Sequence, residues 1–252
     1  MFYTLDAVGD IVVDKARNIY LDVGTAIGMP HGAAWLYHDE NSFVIGVEPN
    51  IECLKTLETG RPPAPFPTVK LGDATIWRDG EEIKQCDPAR MAVFHCAIDD
   101  VGGRTSANFF HTDERNIGCS SLLQPTDKLG LDVVNQSAID VCSLEYLLDS
   151  LGMQDVEKIT FIKTDTQGKD FDVVRSLGKY LPRVLALKCE CNVAGQYENS
   201  NSKDEFLQYM KDNQFALIHD NGYDVIFVSS RPMGTKEDIL LVQSSLDNFH
   251  PE

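Results

Sequence analysis

Basic residues are scarce in this 252-residue chain: 22 Lys and Arg stand against 39 Asp and Glu, a formal net charge of −17. Such an excess repels phosphate backbones and anionic membrane surfaces, and no Lys/Arg run is present to override it. Neither a nucleic-acid nor a membrane partner is expected. No stretch approaches the ~18 consecutive apolar residues of a membrane span. The opening Met1-Phe2-Tyr3-Thr4-Leu5-Asp6 lacks the basic and apolar segments of a secretory signal, so a cytoplasmic location is expected. Cys-x-x-Cys pairs are also missing. Cys53, Cys86, Cys96, Cys119, Cys142, Cys189 and Cys191 are scattered and odd in number, which reads as reduced, buried thiols. The six histidines show no His-x-x-x-His spacing, so they point to no metal site; His95 and His219 read as core residues of strands.

What is present is the pattern of one large α/β domain over 1–252, with 43% hydrophobic and 24% charged residues. Strands and helices alternate, as in a parallel sheet covered on both faces. Strands are expected at 18–23, 42–47, 91–97, 159–163 and 183–190. The helices expected between and after them begin near Pro30 and Ile51 and cover 143–151, 170–177 and 203–213. The segments 215–219 and 224–228 read as an antiparallel pair around Asn221-Gly222. Two stretches break the alternation: 60–90, with four prolines between Gly60 and Pro67 and a hairpin at 68–83 turning on Asp79-Gly80, and 99–134, read as irregular. Both are taken as insertions or acceptor-side loops.

Three features carry chemistry. The first is Asp22-x-Gly24-x-x-x-Gly28, a glycine turn between a strand and a helix, where backbone can approach a ligand closely. Its leading acid suits a cationic ligand, such as the methionine half of S-adenosylmethionine, better than a pyrophosphate. The second is Glu48, ending the next strand 20 residues after Gly28, where a carboxylate can grip both hydroxyls of a ribose. The third is Ile162-Lys163-Thr164-Asp165-Thr166-Gln167-Gly168, which brings polar side chains to the carboxyl end of the sheet, where open α/β proteins bind ligands.

In order, Leu21-Asp22-Val23-Gly24 through Gly28, Val47-Glu48-Pro49-Asn50, Ala97-Ile98-Asp99 with Gly102-Gly103, Asn116-Ile117-Gly118-Cys119-Ser120-Ser121-Leu122, Ser143-Leu144-Glu145-Tyr146-Leu147-Leu148 and the Lys163–Gly168 block resemble the FkbM-type class I methyltransferases from Asn18 to Ser229. The resemblance implies a Rossmann-like seven-strand sheet, mostly parallel with an antiparallel C-terminal pair. It also implies S-adenosylmethionine as cofactor and transfer to an oxygen, often on a sugar or natural product. The chain departs from the family at Thr25-Ala26, where Ala-Asn is usual, and at Gln167 and Asp170, where Glu is common.

The expected function is therefore O-methylation of a hydroxyl on a small acceptor. The expected donor-binding residues are Asp22 for the methionine end, Glu48 for the ribose, and Gly24, Thr25, Gly28 and Pro49 around them. Ala97 and Ile98 are expected to pack on the adenine, with Asp99 on its amine. Asp165 is the expected proton acceptor, with Lys163, Gln167 and Glu190 around it; if Lys163 pairs with Asp165, Glu190 or His111 becomes the better base. No metal is expected, the alternative being magnesium held by Asp99, Asp165, Glu190 and Asn192. A homodimer through the first strand, read as exposed, is a further expectation. The rival readings are a catalytically silent nucleoside-binding scaffold and an NAD-dependent oxidoreductase, the latter opposed by the missing GxGxxG and Tyr-x-x-x-Lys.

Overall fold

Asn18–Val23 (β1) and Ser42–Val47 (β2) are buried at every position, because each lies inside a parallel sheet with both faces covered. Between them runs the helix Pro30–His38 (α1), and after them Ile51–Thr59 (α2), capped by the Asn50 side chain accepting from Glu52 N. The computed structural model describes residues 1–15, 17–60, 66–191, 195–232 and 235–247; Pro62, Pro63, Pro65, Asn192 and His250 lie outside these.

The expected hairpin at 68–83 is a three-stranded meander: Thr68–Lys70 (β3), Thr75–Arg78 (β4) and Glu81–Gln85 (β5), with Asp79-Gly80 at the second turn. The expected strand 91–97 is two strands in different sheets. Met91–Phe94 (β6) pairs with β2, and Ala97–Ile98 (β7) leaves at His95-Cys96 to join a separate sheet. The largest correction concerns 99–134. Arg104–Thr112 (β8) and Val133–Cys142 (β9) form a long antiparallel pair, whose small core is Ala97, Phe109, Ile139 and Val141. Most of β8 is polar and solvent-facing, so no apolar alternation marks it; pairing with β9 makes it a strand.

The chain then returns to the main sheet. Leu144–Ser150 (α3), capped by Ser143, precedes Ile159–Thr164 (β10); Asp170–Arg175 (α4) leads to Val184–Glu190 (β11). Lys203–Asp212 (α5), Phe215–Asp220 (β12), Asp224–Ser229 (β13) and Lys236–Asp247 (α6) complete it. The order is β12-β13-β11-β10-β1-β2-β6, with β13 antiparallel to both of its neighbours. β1 is thus central and buried rather than exposed, so the reason for expecting a dimer through it does not hold.

Side chains alternate across the sheet. Ile19, Leu21, Val23, Phe43, Ile45 and Ile162 meet α3, α4 and α5 on one face. Tyr20, Val44 and Phe161 meet α1, the β3–β5 meander and Val242 of α6 on the other. Among the described residues no helix is long and apolar enough to cross a membrane.

Candidate active site

Register alone builds the site. Val23, Val47, Phe94, Thr164 and Cys189 are aligned across five parallel strands. The residues one step beyond this row are Gly24, Glu48, His95, Asp165 and Glu190, so the sheet delivers them side by side at its carboxyl edge. Three backbone bonds carry the row outward: Gly24 N to Val47 O, Glu48 N to Phe94 O and Asp165 N to Val23 O. Gly24 has φ +78°, and a Cβ there would lie 1.9 Å from the Asp165 carbonyl oxygen, so only glycine fits between these strand ends.

A cleft of about 690 Å³, counted out to its open mouth, lies above this edge. Glu48, Pro49, Val47 and Cys53 line one side, with Ala97 and Ile98 beside them. Gly24, Ala26, Asp165, Thr166 and Lys169 form the floor and far wall. The roof comes from the β8–β9 excursion: Phe109, Ile117, Gly118, Ser120 and Leu122. It is tied down where Asn50 Nδ2 donates to Ser120 Oγ and where Ser121 Oγ donates to the Gln167 carbonyl, at 2.8 Å.

Glu48 is 5% exposed and accepts from Ala26 N at 2.7 Å and Asn50 N at 2.8 Å. Burial pushes its carboxyl up to about 7 against the pull of those two amides. The bond to Ala26 holds that residue at φ +49°, a left-handed conformation rare for alanine. His95 in turn sits 3.1 Å from the Pro49 carbonyl and fixes the corner that presents Glu48.

Asp22, Thr25 and Gly28 are not on the cleft wall. The Asp22 side chain is 0% exposed: Oδ2 accepts from Gly32 N at 3.0 Å, capping α1, and Oδ1 lies 3.5 Å from Lys163 Nζ. The two are direct cross-strand partners, which sequence spacing does not reveal. Thr25 is buried, and Gly28 uses its carbonyl to receive Val69 N of β3. Asp99 points to Lys169 Nζ, at 2.9 Å, rather than standing free.

Of the four polar residues expected at the opposite end, Asp165 lines the cleft, Lys163 and Gln167 are off its wall, and Glu190 lines a separate small pocket with Gly168, Asp170 and Phe206. Lys163 is buried, donates to the Gly24 carbonyl and stands 3.7 Å from Asp165 Oδ2. Burial works against its charge, but Asp22 and Asp165 outweigh that and hold its pKa above the ordinary lysine value. Asp165 is 42% exposed at the side chain and faces the cleft. Gln167 Nε2 donates to Asp165 Oδ1 at 2.7 Å and to Glu190 Oε2 at 2.8 Å. Burial and the neighbouring Asp165 and Asp170 push the Glu190 carboxyl up to about 9. His111 instead sits in β8, bonded to Ser137 Oγ, and is not a wall residue. Among the described residues no group of three or more His, Cys, Asp and Glu side chains is arranged to hold a metal ion.

The methyltransferase FkbM domain matches residues 22–225. The chain belongs to the FkbM methyltransferase family. No curated protein matches it. A solved Streptococcus pneumoniae structure, put forward as a tRNA (m1A22) methyltransferase, aligns at 12% identity over 98% of this chain and 78% of its own, with a TM-score of 0.34. That overlap is too loose to bear on fold or function.

Within this FkbM methyltransferase domain the structure adds wall residues that the sequence did not single out. Cys53 has no distinctive pattern of its own, while Ala26 and Ser120 lie inside the matched blocks with no role of their own read from them. Lys169 adjoins the Lys163–Gly168 block and, among the described residues, is the only basic one on the wall, matched by Asp99 and by Asp172 at 2.8 Å.

Proposed function

We infer that the chain transfers a methyl group from S-adenosylmethionine to a hydroxyl oxygen of a small acceptor such as a sugar or natural product. The observation that carries the donor assignment is the charge of the cleft. Glu48 and Asp165 face it, its one lysine is matched by two acids, and the α1 N-terminus that would greet a phosphate is spent on Asp22. Among the described residues a pyrophosphate finds no unmatched cation on the cleft wall, whereas a sulfonium with an ammonium meets carboxylates. The net charge of −17 favours a small acceptor over a nucleic acid for the same reason.

The residues present fit the donor. Glu48 is placed to accept from the two ribose hydroxyls, while Pro49, Ala97 and Ile98 offer apolar contact to the base. With Asp22 sealed, the carboxylate open to the methionine end is Asp165. S-adenosylmethionine supplies an electrophilic methyl whose bonding electrons leave with sulfur. The chain's part is to align the acceptor oxygen and to take its proton as the new C–O bond forms. Lys163 lies against Asp165, so the proton acceptor is assigned to the Asp165–Glu190 pair rather than to Asp165 alone. The closely spaced, largely buried pair is harder to ionise fully than two separate acids, and it takes the acceptor's proton as a unit.

The test is incubation with isotopically labelled donor and a panel of hydroxylated small molecules, read by mass spectrometry. One labelled methyl on an oxygen of a panel member is the expected result. Donor binding with no product from any acceptor class would instead favour a silent nucleoside-binding scaffold.

A further inference from the structure

Gln167 sits in a conformation that its side chain does not favour. Its φ is +56°, in the left-handed region, one residue before Gly168 at φ +100°. Such backbone is retained when the surroundings over-determine it, and it clusters at functional positions. Every polar group of Gln167 that the turn presents is engaged. Its two amide hydrogens go to different carboxylates, Asp165 and Glu190. Its Oε1 lies 2.8 Å from Tyr197 Oη, and its carbonyl accepts from Ser121 Oγ. The amide is oriented this way because the reverse would turn its carbonyl oxygen onto the Asp165 carboxylate.

Tyr197 was not singled out by the sequence. It is 1% exposed, and its hydroxyl also lies 2.8 Å from the Cys119 carbonyl, so its one proton is shared between the cleft roof and Gln167. Its segment is stitched to the roof by Glu198 N to Gln124 O and Thr126 N to Gln196 O. The orientation of the Gln167 amide is thereby tied to closure of the roof.

We propose that Gln167, locked by Tyr197, is a positioning residue that holds Asp165 and Glu190 together as one proton-accepting unit. This rests on the assignment of that pair as the base. Gln167 offers one donor to each acid, which stabilises the ionised form of both without adding a charge. Without it, Glu190 loses that donor and faces Asp165 directly, so the second ionisation becomes harder.

The experiment is infrared titration of the donor-free protein between pH 6 and 10, following the protonated-carboxyl band that disappears in Glu190→Gln. Gln167→Met keeps the length of the side chain and removes both donors. Its midpoint should move upward by about one pH unit or more. Tyr197→Phe should move it the same way by less. An unchanged midpoint in a Gln167→Met protein that melts like wild type overturns the proposal. If the midpoint moves as expected but no acceptor is methylated, the positioning stands and the functional reading fails. If methyl transfer proceeds and the midpoint does not move, the reverse holds.

Discussion

The two ends of the cleft are built in opposite ways. At the Glu48 end the protein offers one carboxylate, held by backbone amides of Ala26 and Asn50, among apolar walls. At the Asp165 end side chains hold one another: Lys163 between Asp22 and Asp165, and Gln167 between Asp165 and Glu190. Backbone donors belong to the loop's path and change little when one side chain is altered. A side-chain network responds as a unit. The first construction suits binding a constant ligand part; the second suits moving a proton.

Gly24 stands between the ends, and Gly24→Ala should disturb both. The added methyl meets the Asp165 carbonyl in a left-handed backbone, costing about 3–5 kcal/mol, or roughly 10 °C in Tm by calorimetry. A melting temperature within 2 or 3 °C of wild type (roughly 1 kcal/mol) would mean that the strand ends are not so tightly placed.

Asp165→Asn should separate the ends. It keeps shape and hydrogen bonding but removes the carboxylate, so turnover on a confirmed acceptor should fall about 100-fold or more. Donor affinity should fall much less than turnover. Turnover within a few-fold of wild type would rule out Asp165 as a member of the base.

The Glu48 end should show a smaller, pH-linked effect. Its carboxyl is pushed up to about 7 by burial, so the ionised form, proposed here to accept from the ribose hydroxyls, grows as pH rises through that value. Donor affinity should therefore tighten from pH 6 to pH 8 by up to about tenfold, and the dependence should vanish in Glu48→Gln. The same elevated pKa makes the donor-free fold lose stability over that interval, because the folded state binds the proton more tightly than the unfolded chain.

The sheet was legible where residues announce themselves. β1 and β2 are unbroken buried runs, and their expected limits match the observed ones. β8 was not, since Arg104-Thr105-Ser106-Ala107-Asn108 has no apolar face and gains its strand form from β9. At the site, the placing of Glu48 and Asp165 beside the cleft followed from strand-end position, which sequence pattern reveals. The burial of Asp22 did not, because it depends on Lys163, 141 positions away in the chain and opposite it in register. Tyr197 lies in Gly195-Gln196-Tyr197-Glu198, a polar stretch with no periodicity, and its role emerges only where it meets Gln167.

The central claim is that the cleft is an S-adenosylmethionine site organised on Glu48. Calorimetric titration of wild type and Glu48→Ala with S-adenosylmethionine, and separately with NAD, tests it most directly. The expected result is saturable binding of S-adenosylmethionine, none of NAD, and about 10- to 150-fold weaker donor binding in Glu48→Ala, corresponding to a charge-assisted contact of roughly 1.5–3 kcal/mol. Binding of NAD in place of S-adenosylmethionine, or a Glu48→Ala protein that binds the donor as tightly as wild type, would contradict it.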